Sequence, residues 1–284
     1  MTTLVRLRHA LPLALAALTL AVPSQAAPPL RYVALGDSYS AASGVLPPDP
    51  FAPPECLRSL SNFANVVADA TGAALTDVTC GAAETGHFFA PQYDNVPPQL
   101  DALTKDAQLV TMTIGGNDSG VFINAIVSCG SAGMSTGGQG SPCKDRYGTS
   151  FEDTIRSTTY PSLVAALGAV RDRAPRAKVA ILGYPWILPE TVGCFERMPV
   201  AEGDVPYLRG VQATLNDAVA RAAAATGATF VDLSAVSDAH DACRPIGERW
   251  IEPVVTTTNP VAVHPNALGE AGMAAETMRV LKLG

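Results

Sequence analysis

Arg31-Tyr-Val-Ala-Leu-Gly-Asp-Ser-Tyr-Ser40 runs a short apolar stretch directly into Gly36-Asp37-Ser38. Read as a strand followed by a tight turn, it lifts the Ser38 hydroxyl to the end of a sheet, where ligands bind in open α/β folds. Three further blocks follow in order: Gly81 in Thr79-Cys-Gly-Ala82, Asn117 in Ile114-Gly-Gly-Asn-Asp118, and His264 in Val263-His-Pro-Asn266.

The rest of the chain supplies the other strands of such a sheet. Leu30–Leu35 is the first, Ala74–Thr79 the second, and Gln108–Ile114 the third, with the near-continuous apolar character of a buried parallel strand. Lys178–Gly183 and Thr229–Leu233 repeat that signature. Helical spacing appears over Ser59–Thr71, about 150–173, 207–226 and Asn266–Leu281, with Gly72 and Gly227 as stops. Strands alternating with helices predict a three-layer α/β/α domain around a parallel sheet of about five strands. The stretches 40–58, 129–149, 184–206 and 234–263 lack strong periodicity and read as long loops walling a cleft.

At the N-terminus, Arg6, Arg8 and His9 precede an apolar run from Ala10 to about Val22 and the small-x-small pattern Ser24-Gln-Ala26. This is the form of a secretory signal peptide over residues 1–26, too short for a membrane span of roughly 20 apolar residues. Residues 27–284 are then one domain, exported from the cell. Losing Arg6 and Arg8 moves the formal net charge from -7 to -9. That balance disfavours a nucleic-acid partner and gives no attraction to anionic lipid, so any lipid contact would be apolar and local, without stable membrane insertion. We expect a monomer.

Six cysteines remain after such cleavage: Cys56, Cys80, Cys129, Cys143, Cys194 and Cys243. An even number in an exported chain favours three disulfides, although six cysteines permit 15 pairings and the sequence does not choose among them. We expect sequential pairing, with Cys129–Cys143 closing a Gly- and Ser-rich loop that has few apolar side chains to bury. The spacings of zinc sites are absent, and we expect neither a metal nor an organic cofactor.

The four blocks, in this order and spacing, resemble the SGNH hydrolases, also called GDSL esterases and lipases. The six-cysteine layout is similar to their secreted bacterial lipase and phospholipase branch. The resemblance covers essentially the whole chain beyond the leader and implies a flavodoxin-like fold. It implies that Ser38 is the nucleophile and His264 its general base, and that the backbone N–H of Ser38, the backbone N–H of Gly81 and the side-chain amide of Asn117 form an oxyanion hole. These roles suit the residue types. A hydroxyl at a strand-to-helix junction is exposed beside a helix N-terminus, a residue without Cβ lets substrate approach the backbone, and an amide at a strand end can reach across the sheet. Asp118 reads as the cap of a helix beginning near Ser119.

In one place the chain departs from the family pattern. Three residues before His264, where an Asp commonly orients the imidazole, stands Val261. A dyad oriented by a main-chain carbonyl of residue 261 or 262 is therefore expected, with Glu252, Asp238 and Asp241 as alternative acids. His87 and His240 read as ordinary loop histidines.

The resemblance implies a serine carboxylester hydrolase working through an acyl-enzyme. Phe88, Phe89, Trp186, Phe195 and Trp250 fall in or near the loops and could line an apolar acyl groove, which would favour lipid esters. There is no long apolar lid segment. The alternatives are a carbohydrate O-deacetylase or small-ester esterase on the same fold, and a noncatalytic extracellular binding protein.

Overall fold

The computed structural model describes Thr2 and residues 28–283, so the leader expected over residues 1–26 lies outside the described residues except for Thr2. Five parallel strands form the centre: β1 (Arg31–Ala34), β2 (Ala74–Asp77), β3 (Leu109–Met112), β4 (Lys178–Leu182) and β5 (Thr229–Val231). Their order is β2-β1-β3-β4-β5. Tyr32 sits opposite Leu75 on one side and Leu109 on the other. The winding therefore reverses between β1 and β3, which leaves a crevice beyond their carboxyl ends.

The helices are α1 (Ser38–Ala41), α2 (Phe63–Thr71), α3 (Val121–Ser135), α4 (Pro142–Tyr147), α5 (Ser150–Thr154), α6 (Tyr160–Arg173), α7 (Val205–Thr226), α8 (Ser234–Ser237) and α9 (Ala267–Leu281). A π-helical segment, Ile155–Thr159, joins α5 to α6, so one helical rod covers the stretch expected at 150–173. The expected start at Ser59 moves to Phe63, because the Asn62 side chain accepts the Asn65 N–H and caps α2. Asn266 likewise caps α9.

Alternation along the strands divides the core into two layers. Val33, Val110, Met112, Val179 and Ile181 pack with Leu163, Leu167 and Val170 of α6 and Val211 and Val219 of α7. Tyr32, Ala34, Ala180, Leu182 and Val231 pack with Phe63 and Val67 of α2 and Met273 and Leu281 of α9. The fold is the expected three-layer α/β/α arrangement. Among the described residues, no helix is long and apolar enough to cross a membrane.

The stretches read as loops are partly helical. The largest correction is at 129–149, which holds the second half of α3 and all of α4. From Val121 to Ser135 α3 has no charged residue and is rich in Gly, Ser and Ala, so it has no polar face to set a helical period. The three disulfides join Cys56 to Cys80, Cys129 to Cys143 and Cys194 to Cys243. They tie 40–58 to the turn after β2, α3 to α4, and the two long loops after β4 and β5 to each other.

On the layer of α2 and α9, Glu270 is fully buried and accepts the Phe63 N–H at 2.8 Å, while its second oxygen has no partner. Burial holds this carboxyl well above the usual carboxylate range, and the nearby Asp37 and Asp77 push it the same way against the single hydrogen bond. A carboxyl that keeps its proton in the fold but releases it on unfolding stabilises the fold fully below its unfolded pKa. That contribution is lost as pH rises through the folded pKa. In urea unfolding between about pH 5 and about pH 8, wild type should lose stability relative to Glu270→Gln as pH rises. Parallel stability curves for the two proteins would contradict this.

Candidate active site

β1 leads through Gly36 and Asp37 to Ser38 at the first turn of α1. Gly36 has φ +126°, and a Cβ there would stand 2.4 Å from the Thr113 carbonyl oxygen, so only glycine fits this turn. Its peptide is clamped from both sides by Gln99, whose Oε1 accepts the Gly36 N–H at 2.7 Å and whose Nε2 donates to the Gly36 carbonyl at 2.9 Å. Asp37 is buried and caps α1 by accepting the Tyr39 N–H at 3.0 Å. Its carboxyl also accepts the Thr113 hydroxyl at 2.7 Å and the Tyr184 hydroxyl at 2.5 Å. The Tyr184 oxygen in turn accepts the Gly116 N–H at 2.9 Å. Burial raises the Asp37 pKa to about 6, and those hydrogen bonds keep it from rising further.

Ser38 Oγ lies 2.8 Å from Nε2 of His264, and Nδ1 of His264 lies 2.8 Å from the carbonyl oxygen of Ala262. With that carbonyl as acceptor, Nδ1 carries the proton and Nε2 faces Ser38 as an acceptor. Both side chains are buried down to a small exposed tip. Burial lowers the His264 pKa below its ordinary 6.5, against the opposing effect of the Ala262 carbonyl.

The backbone at Val263 has φ +60°, an outlier for a β-branched residue. Strain of this kind costs on the order of 1–3 kcal/mol and persists where the surroundings over-determine it. Here the Val263 N–H donates to the Glu252 carbonyl at 2.8 Å, and the Val263 carbonyl accepts the Tyr39 hydroxyl at 2.7 Å. None of the three alternative acids has a hydrogen bond to the imidazole. Asp238 pairs with Arg209, and Asp241 accepts the Cys243 N–H and pairs with Arg244. Glu252 is a structural hub. Burial would raise its pKa, but hydrogen bonds from Arg249, the Thr258 N–H and Asn266 hold it at about 2.

Asn117 follows β3, and its Nδ2 donates to the Ala83 carbonyl at 3.1 Å, leaving its second amide hydrogen uncommitted. At the turn after β2 the two successive amides of Gly81 and Ala82 differ in whether they have an acceptor. The Gly81 N–H is already donated to the Cys56 carbonyl at 2.8 Å, and the Gly81 carbonyl accepts from Gln92 at 2.6 Å. Ala82, next in the chain, has φ +60°, and its N–H has no hydrogen-bond acceptor among the described residues. The expected role of Asp118 is corrected. It accepts the Thr85 N–H and hydroxyl at 2.9 and 2.7 Å, tying the turn after β2 to the end of β3, and α3 begins beyond it at Val121 without a side-chain cap. His87 Nδ1 accepts the Glu84 N–H, and His240 stacks on Trp250 and bonds the Glu248 carbonyl.

An apolar pocket of about 350 Å³ adjoins this centre. Gly116, Phe122 and Tyr184 line the end near the site, and the Phe122 ring stands edge-on to His264 at 5.9 Å. Ile126 and Met134 of α3, Met198, and Leu208 and Leu215 of α7 line the remainder. None of the five aromatic residues expected to form a groove contributes to it. Phe88 is fully buried, Phe89 is exposed, and Phe195 packs on Gly138. Trp186 stacks under Arg209 and bonds the Ser234 carbonyl, and Trp250 lies on Gly269 and Gly272. The pocket is aliphatic because it is built between α3 and α7, and the sequence did not reveal α3 as a helix.

Residues 34–271 match the model of the GDSL-like lipase/acylhydrolase family. This chain belongs to that family. It is accordingly a carboxylic ester hydrolase of the esterase and lipase type. It is 63% identical over 265 residues to Lipase 2 of Streptomyces coelicolor, covering 93% of this chain and 90% of that one. Among solved structures, phospholipase A1 from Streptomyces albidoflavus NA297 superposes with a TM-score of 0.73 at 28% identity, covering 90% of this chain and 99% of that one. The extracellular lipase of Streptomyces rimosus gives a TM-score of 0.72 at 27% identity, covering 88% and 99%.

Tyr184 and Gln99 were not singled out from the sequence. Neither sits in a motif, and each acts by a hydrogen bond to a block far away in the chain. Tyr184→Phe removes the bridge between Gly116 and buried Asp37 and should destabilise the protein by about 1–3 kcal/mol in urea unfolding. It should also lower kcat more than it changes KM, because the Asn117 loop loses its tether. A variant matching wild type in both would show that the bridge does not matter.

Proposed function

We propose that Ser38 and His264 form a catalytic dyad that hydrolyses lipid esters. The observation that carries this is the 2.8 Å contact between Ser38 Oγ and a His264 nitrogen whose partner nitrogen is fixed by the Ala262 carbonyl, beside a largely apolar pocket of about 350 Å³. Ser38 Oγ attacks the ester carbonyl carbon while its proton passes to His264 Nε2. The tetrahedral oxyanion is held by the Ser38 N–H at the start of α1, the Asn117 amide and the Ala82 N–H, the last in place of Gly81. As the intermediate collapses, His264 returns the proton to the departing alcohol and the acyl group stays on Ser38. Water, deprotonated by His264, then releases the fatty acid and restores the serine.

The neutral Ala262 carbonyl fixes the tautomer but supplies no full charge to the imidazolium. The lowered His264 pKa fits a base that is unprotonated at neutral pH. A predominantly apolar pocket of this size suits an acyl chain better than a sugar ring, which weighs against a carbohydrate deacetylase. The names of the Streptomyces relatives, two lipases and a phospholipase A1, support lipid esters as the class. Residues 1–26 then serve as a removable leader, and 27–284 as one exported domain, in keeping with three disulfides and an extracellular lipase among the relatives.

On p-nitrophenyl esters from acetyl to palmitoyl, hydrolysis should be strongest with medium or long chains, and Ser38→Ala should reduce it roughly 10³-fold or more. Asn117→Ala should lower kcat roughly 10²-fold with little change in KM. The acid limb of kcat/KM should have its midpoint below 6.5, because His264 must be unprotonated to act and burial lowers its pKa. Near-wild-type turnover by Ser38→Ala would overturn the dyad. The pocket is tested separately. Met198→Trp fills it and should shift the preferred chain to shorter acyl groups, and an unchanged profile would remove the pocket from the acyl path.

A further inference from the structure

Between Asp118 and Lys144 the chain carries 25 residues without one charged side chain, although 16% of its residues are charged. The stretch contains α3, and α3 is not buried. Ile123, Val127 and Met134, at helical spacing along one stripe, are 56, 57 and 61% exposed. Soluble helices normally turn a charged face to water, so a charge-free exposed stripe points to a surface other than water. The stripe is also continuous with the pocket. Val127 and Met134 are at once exposed and part of the pocket wall, and half-exposed Val254 belongs to the wall as well. One helix thus separates the pocket from the outside, with Ile123, Val127 and Met134 exposed beside the uncharged Asn124, Ser131 and Ser135 on its outer surface.

We propose that the outer stripe of α3 is where the enzyme seats itself on a zwitterionic lipid surface, so that an acyl chain passes from the aggregate into the pocket behind the helix. The proposal rests on the lipid-ester reading above and adds the physical state of the substrate. The absence of any cation from Ser119 to Cys143 and the formal net charge of -7 leave no electrostatic draw toward anionic lipid, so apolar contact drives docking. The Cys129–Cys143 bridge ties α3, between Val127 and Met134, to α4.

The test separates docking from turnover by using Ser38→Ala as the parent. That protein should co-sediment with phosphatidylcholine vesicles, and adding Ile123→Asp should weaken the binding at least about tenfold. Adding Ile123→Trp instead should strengthen it, since indole favours the lipid–water boundary. Ile123 is absent from the pocket wall, so Ile123→Asp in the otherwise wild-type enzyme should hydrolyse dissolved p-nitrophenyl butyrate within about twofold of wild type while losing activity on phosphatidylcholine vesicles. Equal vesicle binding by parent and Ile123→Asp would overturn the proposal. So would binding that requires anionic phosphatidylglycerol and disappears with salt. If sedimentation shows a dimer that Ile123→Asp dissociates, the stripe is covered by a second copy and the proposal fails. Loss of the dyad reading alone would leave the vesicle result intact.

Discussion

Asp37 presents a buried carboxyl to three donors: the Tyr39 N–H, the Thr113 hydroxyl and the Tyr184 hydroxyl. These come from α1, the end of β3 and the loop after β4, and Tyr184 extends the chain of bonds to the Gly116 N–H beside Asn117. A carboxyl withdrawn from water is costly unless its lone pairs are filled, so each donor is held in place by the cost of leaving Asp37 unsatisfied. Ser38 and Asn117 follow the paired strands β1 and β3, whose ladder continues as the Asp37 N–H donates to the Thr113 carbonyl at 3.0 Å, and the Asp37 carboxyl adds the side-chain tie between the two turns. Asp118 makes an analogous tie to Thr85, and Gln99 locks the Gly36 peptide. The groups of the candidate site are thus positioned by polar side chains buried beneath them.

The imidazole is oriented by a different device. A carboxylate partner would stabilise the imidazolium directly, whereas the Ala262 carbonyl supplies direction and only a partial charge. That direction depends on a left-handed Val263, pinned between Glu252 and Tyr39. Buried Glu252 is saturated by Arg249, Thr258 and Asn266 and organises the loop that carries the strained residue. Charge that could have faced His264 serves instead to make its backbone partner rigid.

The apolar pocket belongs to a third layer. The pocket lies between α3 and α7, next to the sheet face whose residues are continuous with the core. Apolar side chains of α3 face both this pocket and the outside, and the same charge-free composition hides its helical period from the sequence.

The sequence by itself determined the alternation of strands and helices, hence the parallel sheet, and the ordered blocks around Ser38, Asn117 and His264, because buried strands need unbroken apolar runs and tight turns need particular residues. It pointed to a carbonyl behind His264 through the absence of an acid at Val261, without choosing between residues 261 and 262. Tertiary structure set the Ala262 carbonyl behind His264, gave the Gly81 N–H an acceptor while leaving the Ala82 N–H without one, and turned Asp118 from a cap into a cross-link to Thr85. It also moved the apolar pocket from the expected aromatic residues to aliphatic ones on α3 and α7. The physical reason is common to these cases. Periodicity and turn chemistry are local and leave a trace within a few residues, whereas which donor is left without an acceptor, and which face meets a cavity, depend on partners brought together from distant parts of the chain.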